Sequence, residues 1–119
     1  MSEAATLQEI RLALGREPGL RLFRHNQGAL RDITGRVVTF GLHPGCPDLI
    51  GWRAVTVTPE MVGRVVGLFA GVEIKAPGGK HPVTPEQQRF IAAIAEAGGL
   101  AGVARNVAQA RHILGLPPT

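Results

Sequence analysis

Residues 64–104 read RVVGLFAGVEIKAPGGKHPVTPEQQRFIAAIAEAGGLAGVA, and this stretch decides the fold class. Its first part, Arg64–Ala76, is rich in Val and interrupted by Gly, the composition of a strand. Pro77-Gly78-Gly79-Lys80-His81-Pro82 follows as a flexible excursion, because Pro and Gly interrupt helix and sheet alike. A helix start then stands out. Thr84 fits the N-cap, Pro85 the first helical position and Gln87 the third position of a capping box. Phe90, Ile91, Ile94 and Ala97 recur at helical spacing as a buried face, and Gly98-Gly99 stops the helix. Leu100–Ala104 is a second short strand. Strand, helix and strand in succession predict an α/β domain.

Downstream, Asn106-x-x-Gln109 opens a last helix ending near Gly115. Upstream, Asp48–Thr58 is another long strand-like run, and Pro59–Gly63 can turn it back on Arg64–Ala76 as a hairpin. His43-Pro44-Gly45-Cys46-Pro47 reads as a rigid turn. Val37–Leu42 and Leu20–Arg24 are two further strands, separated by a polar loop through Gly35. Leu7, Ile10 and Leu14 mark an amphipathic helix over residues 4–15, ended by Gly15 and Pro18-Gly19. The expected order is α-β-β-β-β-α-β-α, a small mixed sheet flanked by helices in one domain over residues 1–119.

Apolar residues make up 45% of the 119, which excludes a disordered or fibrous chain. No apolar run approaches the length of a membrane span. Met1-Ser2-Glu3-Ala4-Ala5 lacks the basic and apolar regions of a signal peptide. Cys46 stands alone, which fits a reducing cytosol. The formal charge is +4, and eleven of the 13 basic residues are Arg, whose planar fork suits phosphate. Arg21, Arg24, His25, Arg31 and Arg36 surround one polar stretch, and Lys80 and His81 lie in another. That placement suits a polyanionic partner, while a solvated surface would give the same charge.

Glu73-Ile74-Lys75 is the first chemical signal. Residues two apart on a strand share a face, so Glu73 and Lys75 project together and Ile74 faces the other way. A carboxylate can hold a hard cation, and an ammonium beside it can orient water or stabilise phosphate charge. A surface ion pair is the plain alternative for this common pattern. Asp48 opens the preceding run. In the expected hairpin, pairing Thr58 with Arg64 sets Asp48 opposite Ile74, on the wrong face. Pairing Thr58 with Gly63, or a bulge at Gly67 or Gly71, sets it opposite Glu73. A phosphodiester-cleaving site would use Asp48 and Glu73 as metal ligands with the Ile74 carbonyl, and Lys75 beside the attacking water. No Cys/His set has zinc spacing, which favours Mg2+ or Mn2+. Asp48 could instead cap its turn. Gln87 also has two readings, as the reciprocal partner of Thr84 or as a side chain reaching metal-bound water or Lys75.

Gly45-x-Pro47-Asp48-Leu49-Ile50-Gly51, Glu73-Ile74-Lys75, Gly78 and Thr84-Pro85-Glu86-Gln87-x-x-Phe90, taken in order, resemble the VRR-NUC family of PD-(D/E)xK nucleases. Gly98-Gly99-x-Ala101-Gly102-Val103-Ala104-Arg105, Arg24-x-Asn26-x-Gly28 and the first helix with Gln8 extend the resemblance over nearly the whole chain. It implies a restriction-endonuclease-like fold and a divalent-metal-dependent DNA endonuclease. In that family the residues matching Asp48 and Glu73 bind the metal, that matching Lys75 is the catalytic lysine, and that matching Gln87 extends the site. A first-helix residue often completes such sites, and Gln8, Glu9 and Glu3 compete for that place. Arg24, Asn26 and Arg31 are the candidate contacts for backbone phosphate. Short stand-alone members of phage or bacterial origin are similar to Holliday junction resolvases. The resemblance therefore implies branched duplex DNA as substrate, a homodimer, and the cytoplasm of a bacterial cell or phage-infected host. A non-catalytic DNA-binding module, or a component of a phage or replication complex, is the alternative on the same fold.

Overall fold

The computed structural model describes residues 2–118. The chain divides into two compact units, Met1–Arg53 and Ala54–Thr119.

The first unit opens with α1, Glu3–Leu14. Ser2 caps it, its hydroxyl accepting the Ala5 N–H at 3.0 Å, and the Gly15 N–H closes the far end on the Arg11 carbonyl. Strand β1, Leu20–Arg24, lies antiparallel to β4, Leu49–Arg53, with Phe23 opposite Ile50. Phe23 and Trp52 are diagonal neighbours on one face, their ring centroids 5.6 Å apart. Between these strands, β2 (Gly28–Arg31) and β3 (Val37–Phe40) form an antiparallel ribbon.

That ribbon corrects the expectation of a polar loop running through Gly35, because β2 is a strand. Gly28-Ala29-Leu30-Arg31 has neither β-branched residues nor a buried face to announce it, and only pairing with β3 makes it extended. Its turn is ordered by Asp32. One carboxylate oxygen accepts the Thr34 hydroxyl at 2.6 Å and the N–H groups of Thr34 and Arg36 at 2.8 and 3.0 Å. The Thr34 hydroxyl first, then these backbone donors, hold the Asp32 carboxyl below its ordinary range. A carboxyl depressed on folding contributes stability above its unfolded pKa and loses that contribution as pH falls through the folded one. We therefore expect amide protection of Thr34 and Arg36 to hold at neutral pH and to fade below about pH 4. Asp32→Ala should abolish the transition by leaving both amides poorly protected throughout. Protection factors for these two amides that do not change with pH in the unaltered protein would refute this role for Asp32.

The second unit begins with an irregular run containing one 3-10 turn, Pro59–Met61. It continues as β5 (Ala70–Ile74), α2 (Pro85–Glu96), β6 (Leu100–Ala104) and α3 (Val107–Ile113). β5 and β6 are parallel, with Glu73 opposite Val103. A parallel pair buries both faces under helices. Gly71 and Gly102 lie on opposite faces by strand alternation. A Cβ on Gly71 would stand 2.8 Å from Ile94 of α2, and Ile113 of α3 packs equally close over Gly102. The centre of this unit is Ile94, 2% exposed, together with Ala104 at 1%.

The α/β class and the order of elements agree with expectation, apart from the added β2 and the short 3-10 turn. The hairpin between Asp48–Thr58 and Arg64–Ala76 does not form. β4 takes β1 as its partner and β5 takes β6, so among the described residues the strands are arranged as three two-stranded sheets. Both runs are also shorter than their composition suggested, since residues 54–69 carry no strand. Pro59 has no N–H for a ladder, and Gly63 adopts a φ of 85° that breaks an extended run.

Candidate active site

Strand alternation puts Gly71, Glu73 and Lys75 on the face of β5 that α2 covers. The Lys75 N–H extends the ladder beyond β5 by donating to the Ala104 carbonyl at 3.0 Å. Lys75 Nζ stands 3.5 Å from Glu73 Oε1, and the two side chains are 14% and 31% exposed. The ion pair expected from spacing alone is therefore formed, in a recess rather than on an open surface. A cavity of about 450 Å3 opens between β5 and α2, with Phe69, Phe90 and Ile91 among its apolar walls and Glu73 and Gln87 among its polar ones. Charges in such surroundings interact more strongly than in water.

The capping-box reading of Gln87 holds, while the other end of its amide reaches Glu73 and not Lys75 as the second reading expected. Gln87 Oε1 accepts the Thr84 N–H at 3.0 Å, while Thr84 Oγ1 accepts the Gln87 N–H at 3.1 Å, which completes the capping box. Its Nε2 donates to Glu73 Oε1 at 3.0 Å. The helix cap thus orients the carboxylate, and the partner of Gln87 is Glu73. Gln87→Ala should cost about 1 kcal/mol of stability through the lost cap. Gln87→Glu keeps an acceptor for Thr84 but presents a second carboxylate to Glu73. Both variants should slow any chemistry that needs an oriented Glu73, by about 10–100-fold. Cleavage rates together with thermal melts separate these effects. A Gln87→Glu protein that is both stable and fully active would show that the Glu73 contact is idle.

Asp48 precedes β4 directly, and its carbonyl accepts the His25 N–H at 2.8 Å, which pins its backbone at the end of the β1–β4 ladder. Its side chain is exposed, and among the described residues the carboxylate forms no salt bridge or side-chain hydrogen bond. The turn-capping alternative thus finds no support. His25 itself is in structural use, because its Nε2 accepts the Leu42 N–H at 2.8 Å. On α1, Gln8, Glu9 and Glu3 are all exposed, and Gln8 lines a cavity of about 320 Å3 with Arg11 and Leu22. Arg24 ends β1 and Asn26 follows it, both exposed. Arg31 spends one donor on the Gly35 carbonyl at 2.9 Å, closing the ribbon turn.

Among the described residues no three His, Cys, Asp or Glu side chains converge as a metal-holding group. Each of the two carboxylates, taken by itself, has the chemistry of a hard-cation ligand. Glu73 is a partly exposed carboxylate held by two donors at one oxygen, and the Asp48 carboxylate is uncompensated.

Arg105 has a structural role that no single stretch of sequence announces. Its guanidinium reaches the Ala76 carbonyl at 2.7 Å, across 29 residues of sequence. Only the parallel pairing of β5 with β6 brings the two strand ends together, and no local pattern signals it.

The family model described as the VRR-NUC domain matches residues 4–108. No curated protein and no solved structure matches the chain. Among the described residues no helix is long and apolar enough to cross a membrane.

Proposed function

The chain belongs to the VRR-NUC domain family, a nuclease family of the PD-(D/E)xK kind, and on that premise we propose that it is a divalent-metal-dependent DNA endonuclease. The observation that carries the proposal is the trio Glu73, Lys75 and Gln87. One carboxylate oxygen receives an ammonium and an amide from residues that strand and helix geometry hold in place.

In this reading Glu73, Asp48 and the Ile74 carbonyl would be the residues to hold Mg2+ or Mn2+. Such a cation, when bound, polarises the scissile phosphate and lowers the pKa of water. Lys75 holds the attacking water and stabilises charge developing on the phosphate as the P–O bond to the leaving strand breaks. Gln87 acts through Glu73, keeping its carboxylate turned in one direction. Gln8 is the proposed first-helix contribution, and Arg24, Asn26 and Arg31 are proposed contacts to backbone phosphate. Asp48 enters the set through the family motif and its uncompensated charge.

The proposal extends to branched duplexes, Holliday junctions or flaps, as preferred substrates. It also extends to a homodimer whose two-fold axis would set two sites for symmetric cuts. Both rest on resemblance to the short stand-alone members, as does a place in the cytoplasm of a bacterial cell or phage-infected host. The test is cleavage of a linear duplex, a flap and a four-way junction, each with Mg2+, Mn2+ or EDTA. Ion-dependent cutting that favours the branched substrates is expected. Salt-sensitive DNA binding with no cutting under either ion would overturn catalysis in favour of a binding module.

A further inference from the structure

We propose that Arg105 is a contact for a DNA backbone phosphate beside the Glu73–Lys75 pair, presented by the turn Ala76–Gly79. The inference rests on DNA being the substrate, and not on cleavage. β5 and β6 are parallel, so Lys75 and Arg105 leave the same end of neighbouring strands, tied by the bond from the Lys75 N–H to the Ala104 carbonyl.

Four features preorganise the guanidinium there. Its Nη1 donates to the Ala76 carbonyl at 2.7 Å. The same carbonyl accepts the Gly79 N–H at 3.2 Å, which closes the turn. Position 79 has no side chain, and a Cβ there would overlap Nη1 and stand 3.0 Å from Cζ. The Arg105 N–H donates to Gln109 Oε1 at 2.7 Å, and the Gln109 N–H is held by Asn106 Oδ1 at 2.8 Å.

A carbonyl positions a guanidinium without neutralising it. Among the described residues Arg105 enters no ion pair, and it is only half-buried. A guanidinium carries five donors, so several remain after the bond to Ala76, in the fork that matches two phosphate oxygens. Lys80, exposed and next to Gly79, adds a second cation to the same turn. A neutral donor would staple the turn equally well. An uncompensated charge in a rigid setting beside the candidate chemistry suits an anionic backbone.

The experiment measures binding of a labelled linear duplex and a four-way junction to the full chain in EDTA, over a series of salt concentrations. Arg105→Gln should weaken both by about tenfold at low salt. It should also reduce the slope of log K against log salt by about 1. Arg105→Lys should keep the slope. Gly79→Ala displaces the guanidinium and should imitate Arg105→Gln, and the double variant should lose little more than either alone. If Arg105→Gln does not fold, Gly79→Ala carries the test with the charge retained. An unchanged slope in Arg105→Gln, or in Gly79→Ala where that variant stands in, overturns the contact even when affinity falls. Failure of the unaltered protein to bind any DNA overturns the contact and the substrate class together, so the two failures are distinguishable.

Discussion

Glu73→Gln is expected to abolish Mg2+- or Mn2+-dependent DNA cleavage, a fall of about a thousandfold or more, while the protein still folds. The substitution keeps size and shape but removes the charge that a hard cation requires. It also leaves Lys75, only 14% exposed, without its partner at 3.5 Å. Lys75→Ala should lose comparable activity for a different reason, because it removes the ammonium and keeps the carboxylate. Direct Mn2+ binding distinguishes the two: Glu73→Gln should bind the ion poorly, whereas Lys75→Ala should retain it. Cutting that survives both substitutions would place the chemistry elsewhere in the chain. Equal Mn2+ binding by all three proteins would remove Glu73 from the donor set.

Ile94→Ala should destabilise the second unit by about 2–5 kcal/mol, the range for truncating a large buried aliphatic residue. Ile94 is the largest fully buried side chain among the described residues, and its Cδ1 fills the space that a side chain at Gly71 would occupy. The truncated methyls leave a gap between α2 and β5 that rigid strand geometry closes only in part. Ile94→Val should cost much less, about 0.5–1.5 kcal/mol. Chemical denaturation followed by circular dichroism measures both. A loss for Ile94→Ala no larger than that for Ile94→Val would mean that α2 is not seated through this residue. The effect reaches the candidate site, because α2 carries Gln87 and Gly71 shares its face with Glu73. Activity of Ile94→Ala should therefore fall at temperatures well below its melting midpoint.

Much of the candidate site was legible because its parts are local. The capping box at Thr84 and Gln87 needs only the torsions of four consecutive residues, and both of its bonds are present. The common face of Glu73 and Lys75 follows from the alternation of an extended chain, which Lys75 continues one residue beyond β5. Strand composition was less reliable. The Val- and Thr-rich residues from Ala54 to Thr58 carry strand propensity but find no partner, whereas unremarkable Gly28–Arg31 does. Propensity describes what a residue tolerates, and pairing supplies the hydrogen bonds that make a strand.

The shared face of Glu73 and Lys75, the start of α2 at Thr84 and the family signature were therefore legible in the sequence alone. Each depends on residues within one element or on an ordered motif. Tertiary structure decided how the strands associate, with β4 beside β1 and β5 parallel to β6, where composition suggested a hairpin. It also decided that Gln87 closes its helix and orients Glu73 with opposite ends of one amide, and that Arg105 crosses to Ala76. The physical reason is range. Torsions and caps are selected among neighbours, whereas strand partnership is chosen by the burial of whole faces, which no local window contains.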